Sequence, residues 1–339
     1  MDEERHDDET RDPSAGTPLV HPLTRVGLYL LAFLILQILV GLPALMIWAV
    51  LSGLGPAILV DGEIPVSALL FVFVCLAPVM VSATLIFLRT LDRRPLRSIG
   101  VRWPADGAAG VAREAAWGAG AALGLLGLWI VVAAVPAELR FDGLSESFGF
   151  DPATGPAWIP AWLSGTGGGL VVLALYCLGF LIQSGLEEWV FRGYVYRALR
   201  ERWSWATVAG ATSLVFSVLH MRNPGIEPAG LVNTFLLGIV FSAAVEATGS
   251  LWPVMAGHGA WNFAMASVLG VPMSGVRVNG MLDFAVDGPG WATGAAYGPE
   301  GSWLMTALLV LAAAGMARWV DSREDGSQRP TGASSDPAR

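Results

Sequence analysis

The chain has 339 residues, of which 54% are hydrophobic and 14% charged, with a mean hydropathy of +0.57. Soluble domains average about 25% charged residues, so this balance excludes an ordinary soluble enzyme and indicates an integral membrane protein. The net charge of −8, with every one of the twenty basic residues an arginine, leaves no basic surface of the kind a nucleic-acid partner needs.

In chain order, residues 1–25 read as a disordered acidic tail. They contain no short apolar stretch ending in small residues, so no cleavable signal peptide is expected. Apolar runs of about 20 residues are needed to cross the hydrocarbon layer. Eight such runs are expected, at 26–53, 64–89, 111–135, 168–190, 204–221, 229–248, 251–270 and 302–320. The fifth is short, and the seventh contains Pro253 and His258. Residues 26–164 therefore form N-terminal transmembrane helices and loops, 165–270 a core of four spans, 271–320 an outer loop and the last transmembrane helix, and 321–339 a disordered tail. The fold class is all-α, a polytopic membrane protein of about eight transmembrane helices.

Arginine placement orients it. Arg89, Arg93, Arg94, Arg97 and Arg102 cluster after the second run, Arg192, Arg197, Arg200 and Arg202 after the fourth, and Arg318 and Arg323 after the eighth. The alternate loops, near 54–63, 136–167 and 271–301, are poor in arginine. The excess of arginine on cytoplasmic loops then puts both termini in the cytoplasm. Trp203, Trp205, Trp252 and Trp303 fall at span starts, where interfacial anchors sit. Cys75 and Cys177 lie in apolar runs as small hydrophobes and imply no disulfide.

Charge within an apolar run is costly, about 2.5–3.5 kcal/mol per residue at a span centre on insertion scales, and marks a functional site by default. Glu187, Glu188 and Arg192 close the fourth run, His220 the fifth, and His258 and Asn262 lie in the seventh. Glu188 and Arg192 are four apart in the order that favours an ion pair on a helix. Glu187 is rotated by about 100° from Glu188, which divides the two acids into one neutralised by Arg192 and one free to work. His258 and Asn262 share a helix face. Glu187 and His220 each lie about sixteen residues from a turn near Trp203–Ser204, so an antiparallel hairpin would bring them to one depth, in the cytoplasmic half of the bilayer. Such a set supplies a base, an orienting imidazole and two donors for a developing oxyanion, enough to hydrolyse an amide with an activated water.

Glu-Glu-x-x-x-Arg at 187–192, Phe-x-x-x-His at 216–220 and His-x-x-x-Asn at 258–262 resemble, in that order, the motifs of the CPBP family, the CAAX-protease and bacteriocin-processing (Abi) intramembrane proteases. The resemblance covers 165–270, read on this basis as a CPBP-like catalytic core. Leu96–Arg102 also resembles the segment that precedes the core in bacterial members. The resemblance implies a helical endopeptidase of the bacterial plasma membrane that cleaves near the cytoplasmic interface. It implies Glu187 as catalytic glutamate, His220 as its helper, His258 and Asn262 as the oxyanion site, and Glu188 and Arg192 as support. The expected partners are the lipid bilayer and a membrane-anchored peptide or protein, prenylated or carrying a leader peptide. No cofactor is expected.

Two alternatives stand beside this reading. His220, His258 and Glu187 could form a His₂Glu zinc site with an open fourth position, although no His-Glu-x-x-His sequence is present. A non-catalytic immunity or scaffold protein could use the same polar cluster for helix packing. Trp189, Phe191 and Phe216 are read as packing residues, and Glu246 as interfacial.

Overall fold

A computed structural model describes residues 18–52, 66–145, 166–276 and 280–328. The predicted tail up to residue 17, the loop at 53–65 and much of the loop at 136–167 lie outside the described residues. The chain is a bundle of long helices: α1 (Pro22–Leu36), α2 (Leu42–Leu51), α3 (Val66–Phe87), α4 (Ala108–Ala133), α5 (Thr166–Glu188), α6 (Tyr196–Leu199), α7 (Trp205–Leu219), α8 (Pro228–Thr248), α9 (Trp252–Phe263), the short α10 (Gly290–Thr293) and α11 (Trp303–Gln328). α1 and α2 run together through a π-helical turn at Gln37–Gly41, and α5 and α6 through another at Trp189–Val195. Each of the eight expected spans coincides with one of these helical stretches. Six are long and apolar enough to cross a membrane: Pro22–Leu51, Leu70–Asp92, Ala108–Ala133, Gly169–Leu199, Pro228–Thr248 and Trp303–Arg323. The other two, α7 and α9, are the short fifth and the proline-bearing seventh runs. α9 lies largely within the bundle, whereas α7 buries one face and leaves Leu214, Val215, Val218 and Leu219 exposed on the other.

The termini of these helices sort into two ends. At the arginine-rich end, Leu19 N–H donates to the Leu91 carbonyl, Leu251 N–H to Gly100, and Trp252 Nε1 to Arg102. Arg197 donates to the Val245 carbonyl, and Arg200 binds the Glu246 carboxylate at 2.7 Å. At the other end, Trp129 Nε1 donates to Ser302 Oγ, and Asn233 Nδ2 to the carbonyls of Glu300 and Ser302. One feature there lies outside an all-helical reading. Residues expected as covering loop form an antiparallel ribbon, β1 (Glu138–Leu144) with β2 (Leu282–Asp287). The ribbon is fastened on its exposed side by Arg140 to Asp287 at 2.6 Å, a contact that holds the Arg140 guanidinium above its ordinary value. The α11 helix also continues through Gln328, past the expected boundary of the C-terminal tail at 321, because Asp321-Ser322-Arg323-Glu324-Asp325 contains no proline to stop it. At the other terminus α1 begins at Pro22, where proline suits the first turn, so the expected acidic tail ends a few residues early.

α9 packs most extensively on α4 and α5, and α8 on α7 and α11. The α4–α9 contact is close because it is made by glycines. A Cβ on Gly118 would fall 1.9 Å from the Pro253 carbonyl oxygen, and one on Gly257 2.9 Å from the Gly118 carbonyl oxygen. Small residues of this kind let backbones approach inside a membrane. The result is that His258, one residue after Gly257, is pressed into the middle of the bundle at 6% exposure.

Candidate active site

The acids sit where α5 gives way to its π-helical continuation. Such segments concentrate at functional sites, and this one starts at Trp189, directly after Glu188. Arg192 lies within it and returns to Glu188, Nη1 to Oε1 at 3.2 Å, with both side chains fully buried. The guanidinium lies over the Phe216 ring, 4.4 Å from its centroid, with Phe241 at 5.7 Å. This aromatic cage compensates a cation that water does not reach. It fits because residue 238 is glycine: a Cβ there would meet Arg192 Nη2 at 2.9 Å and Ser213 Oγ at 2.6 Å.

His258 joins the two acids. Its Nδ1 is 2.9 Å from Glu188 Oε1, and its Nε2 is 3.9 Å from Glu187 Oε2. Glu188, held between Arg192 and His258, is fully buried, whereas the Glu187 side chain keeps 19% exposure. The structure thus divides the carboxylates as the 100° rotation predicts, one ion-paired and one facing the cavity. Glu187 Oε1 accepts from Gln183 Nε2 at 2.5 Å, and its Oε2 has no hydrogen-bond donor among the described residues.

Gln183 is the residue that the sequence reading missed. It lies one turn before Glu187 on the same face, a polar side chain inside Phe180-Leu181-Ile182-Gln183-Ser184, and that interruption of an apolar run was the available signal. Asn262 Nδ2 donates to Gln183 Oε1 at 3.0 Å and to Ser184 Oγ at 3.1 Å. Both amide protons of Asn262 are thereby engaged, and its link to Glu187 runs through Gln183.

His220 stands at the end of α7. Its Nδ1 is 2.8 Å from the Phe216 carbonyl, and its ring packs on the Phe216 ring with centroids 4.5 Å apart. Phe216, expected as packing alone, therefore contacts both Arg192 and His220. Trp189 and Phe191 do fall in the buried apolar cluster, and Glu246 accepts from Tyr196 at 2.8 Å as well as from Arg200. His220, His258, Glu187, Gln183 and Asn262 all line one cavity of about 210 Å³. Its remaining wall is largely apolar, with Leu70, Phe73, Phe180, Met273 and Val276.

A smaller space of about 30 Å³ adjoins the two histidines and reaches Asn233 and Glu300. Glu300 Oε1 accepts from Trp261 Nε1 at 2.9 Å, and Oε2 from the Ser274 backbone at 2.6 Å. This carboxylate fastens the segment after α9 to α9 itself. Beside it the Tyr297 phenol is pushed up to about 12, first by burial and then by the charge of Glu300. Among the described residues no group of three or more His, Cys, Asp and Glu side chains is arranged to hold a metal ion.

Residues 169–264 match the family model described as type II CAAX prenyl endopeptidase Rce1-like. No curated protein and no solved structure matches the chain.

Proposed function

We propose, for a chain whose residues 169–264 match the Rce1-like type II CAAX prenyl endopeptidase model, a glutamate-type intramembrane protease of the bacterial plasma membrane with Glu187 as its general base. The observation that carries this reading is the unequal treatment of the paired acids: Glu188 is fully buried against Arg192 and His258, and Glu187 keeps 19% exposure and lines the cavity. In this reading Glu187 takes a proton from a water in the cavity, and the hydroxide attacks the scissile carbonyl carbon. Glu187 then returns the proton to the leaving amine nitrogen as the C–N bond breaks. His220, whose Nδ1 is fixed by the Phe216 carbonyl, directs Nε2 to the attacking water.

His258 Nδ1–H donates to Glu188, so a second proton on Nε2 makes it a donor toward the oxyanion. Asn262 has its protons on Gln183 and Ser184, and an oxyanion contact replaces one of these bonds. Gln183 is assigned as a positioning residue that aims the Glu187 carboxylate. The apolar wall of the cavity suits a substrate with apolar side chains next to the scissile bond, supplied by a membrane-anchored peptide or protein.

The test is cleavage of a membrane-anchored peptide by purified protein. Glu187→Gln is expected to lower kcat by about 10²–10⁴-fold, the range of a lost general base, with the detergent-solubilised protein still monodisperse. Undiminished cleavage rejects the assignment. The zinc alternative, with His220, His258 and Glu187 as ligands, predicts stoichiometric zinc lost together with activity on chelation. The glutamate mechanism predicts activity that survives metal-free preparation.

A further inference from the structure

The catalytic cavity and the arginines point to opposite ends of the bundle. The acids are near the arginine-rich end: Gly193 is packed on Leu251, and His258 is seven residues beyond Leu251, roughly 10 Å along a helix. From that floor the cavity runs away from the arginines. Its far walls are Leu70 and Phe73 in the first turns of α3, Asn223 just after α7, and Met273, Ser274 and Val276 just after α9. No lining residue comes from the turns at 89–107, 200–204 or 249–251. The end that the cavity reaches also carries the acids Glu138, Asp142, Glu227, Asp283 and Asp287, all exposed. The opposite end carries the clustered arginines, which orient toward the cytoplasm.

We infer that the cavity opens to the extracytoplasmic side of the membrane, so that the substrate is a membrane-anchored polypeptide whose scissile segment lies at the outer boundary of the hydrocarbon layer. This deepens the protease reading and rests on it for the word substrate. It departs from the cytoplasmic cleavage that resemblance to the family implies, because in this chain the catalytic carboxylate lies at the cytoplasmic depth while its access does not. A prenylated cytoplasmic C-terminus would have to enter from the closed, arginine-bearing end. A secreted or membrane protein with an apolar segment emerging on the outer face meets the cavity directly.

Two readouts test orientation and substrate separately. Single cysteines at Glu227→Cys, Asp142→Cys and Arg323→Cys are placed in a background with Cys75→Ala and Cys177→Ala, expressed in bacteria and probed in intact spheroplasts with a membrane-impermeant sulfonated maleimide. The first two are expected to label in intact spheroplasts, and the third only after lysis. The reverse pattern, or equal labelling of all three, overturns the inference. The same labelling in the Glu187→Gln protein reads orientation without any activity. The second readout uses two single-span reporters carrying the same apolar boundary segment, one with it at the outer face and one with the topology inverted. The outer reporter is expected to be cut at least tenfold faster, with the cut lost in Glu187→Gln. Preferential cutting of the inverted reporter overturns the inference. The expected labelling with neither reporter cut upholds the orientation and counts against the protease reading.

Discussion

At the residue scale, the site is a set of unlike roles forced on like groups by their neighbours. Arg192 and Glu188 form a fully buried pair, and breaking such a pair from one side leaves an uncompensated charge that costs about 3–5 kcal/mol. Arg192→Met is therefore expected to lower the thermal unfolding midpoint in detergent sharply, and Glu188→Gln in the same chain to restore part of the loss. Arg192→Lys should fall between, since an ammonium keeps the charge but not the flat stack on Phe216. Gln183 holds Glu187 through a bond to a charged acceptor, of a class that contributes about 1.5–3 kcal/mol. Gln183→Leu is accordingly expected to lower kcat roughly tenfold to a hundredfold with KM little changed, as steady-state cleavage would show. An unchanged kcat would remove Gln183 from the positioning role. The ordered polar residues of the three motifs were legible in the sequence because charge in an apolar run has no cheap explanation. Gln183 was not, because an uncharged amide in a membrane helix is ordinary helix-to-helix glue.

At the element scale, the eight apolar runs were readable from length and hydropathy, since a membrane tolerates few alternatives to a helix. The depth match of Glu187 and His220 also follows from helix rise and the turn before α7, where Ser204 Oγ accepts from Thr207 N–H at 3.4 Å as an N-cap. What periodicity did not reveal is how close the elements come. The α4–α9 approach depends on Gly118 and Gly257, and Gly118→Val would drive a branched side chain into the Pro253 carbonyl. Overpacking of this sort costs about 1–3 kcal/mol where neighbours can shift; here the neighbour is backbone. Loss of thermal stability is expected, together with loss of activity through a displaced His258. Gly118→Ala is expected to do the same to a smaller degree. The β1–β2 ribbon escaped notice because its strands lie about 140 residues apart in the chain, and each alone is too short and too polar to signal a sheet.

At the scale of the whole molecule, the arginine-rich end is more than a topology signal. Arg25 at the start of α1 is fully buried and ion-paired with Asp92 and Glu201. Asp92 also accepts from Tyr194 at 2.8 Å, and Arg94 binds Glu201 at 2.8 Å. This network ties the first helix to the stretch that carries Glu187 and Glu188. Arg25→Met is expected to destabilise the protein by about 3–5 kcal/mol, as for any buried pair broken on one side, measured as a lowered unfolding midpoint. The Leu96–Arg102 segment serves the same end of the bundle. Its Ile99 is buried in one apolar cluster with Val190, Phe191 and Tyr194, and its Gly100 carbonyl receives Leu251 N–H at 3.0 Å. A feature that the sequence offered only as a likeness to bacterial relatives thus has a mechanical role: it joins the two stretches that present Glu188 and His258.

The sequence by itself determined the membrane class, the helical runs, the polar residues that gather around the cavity and the clustering of the arginines at one end of the bundle. Each of these follows from the cost of placing charge or unpaired backbone in hydrocarbon, a local property that composition and spacing express directly. Only the tertiary structure decided that His258 joins Arg192 on Glu188, that Gln183 and Asn262 form a chain, and that the cavity runs toward the arginine-poor end. Those outcomes depend on how helices distant in the chain approach one another, which glycine contacts and buried ion pairs set and hydropathy does not encode.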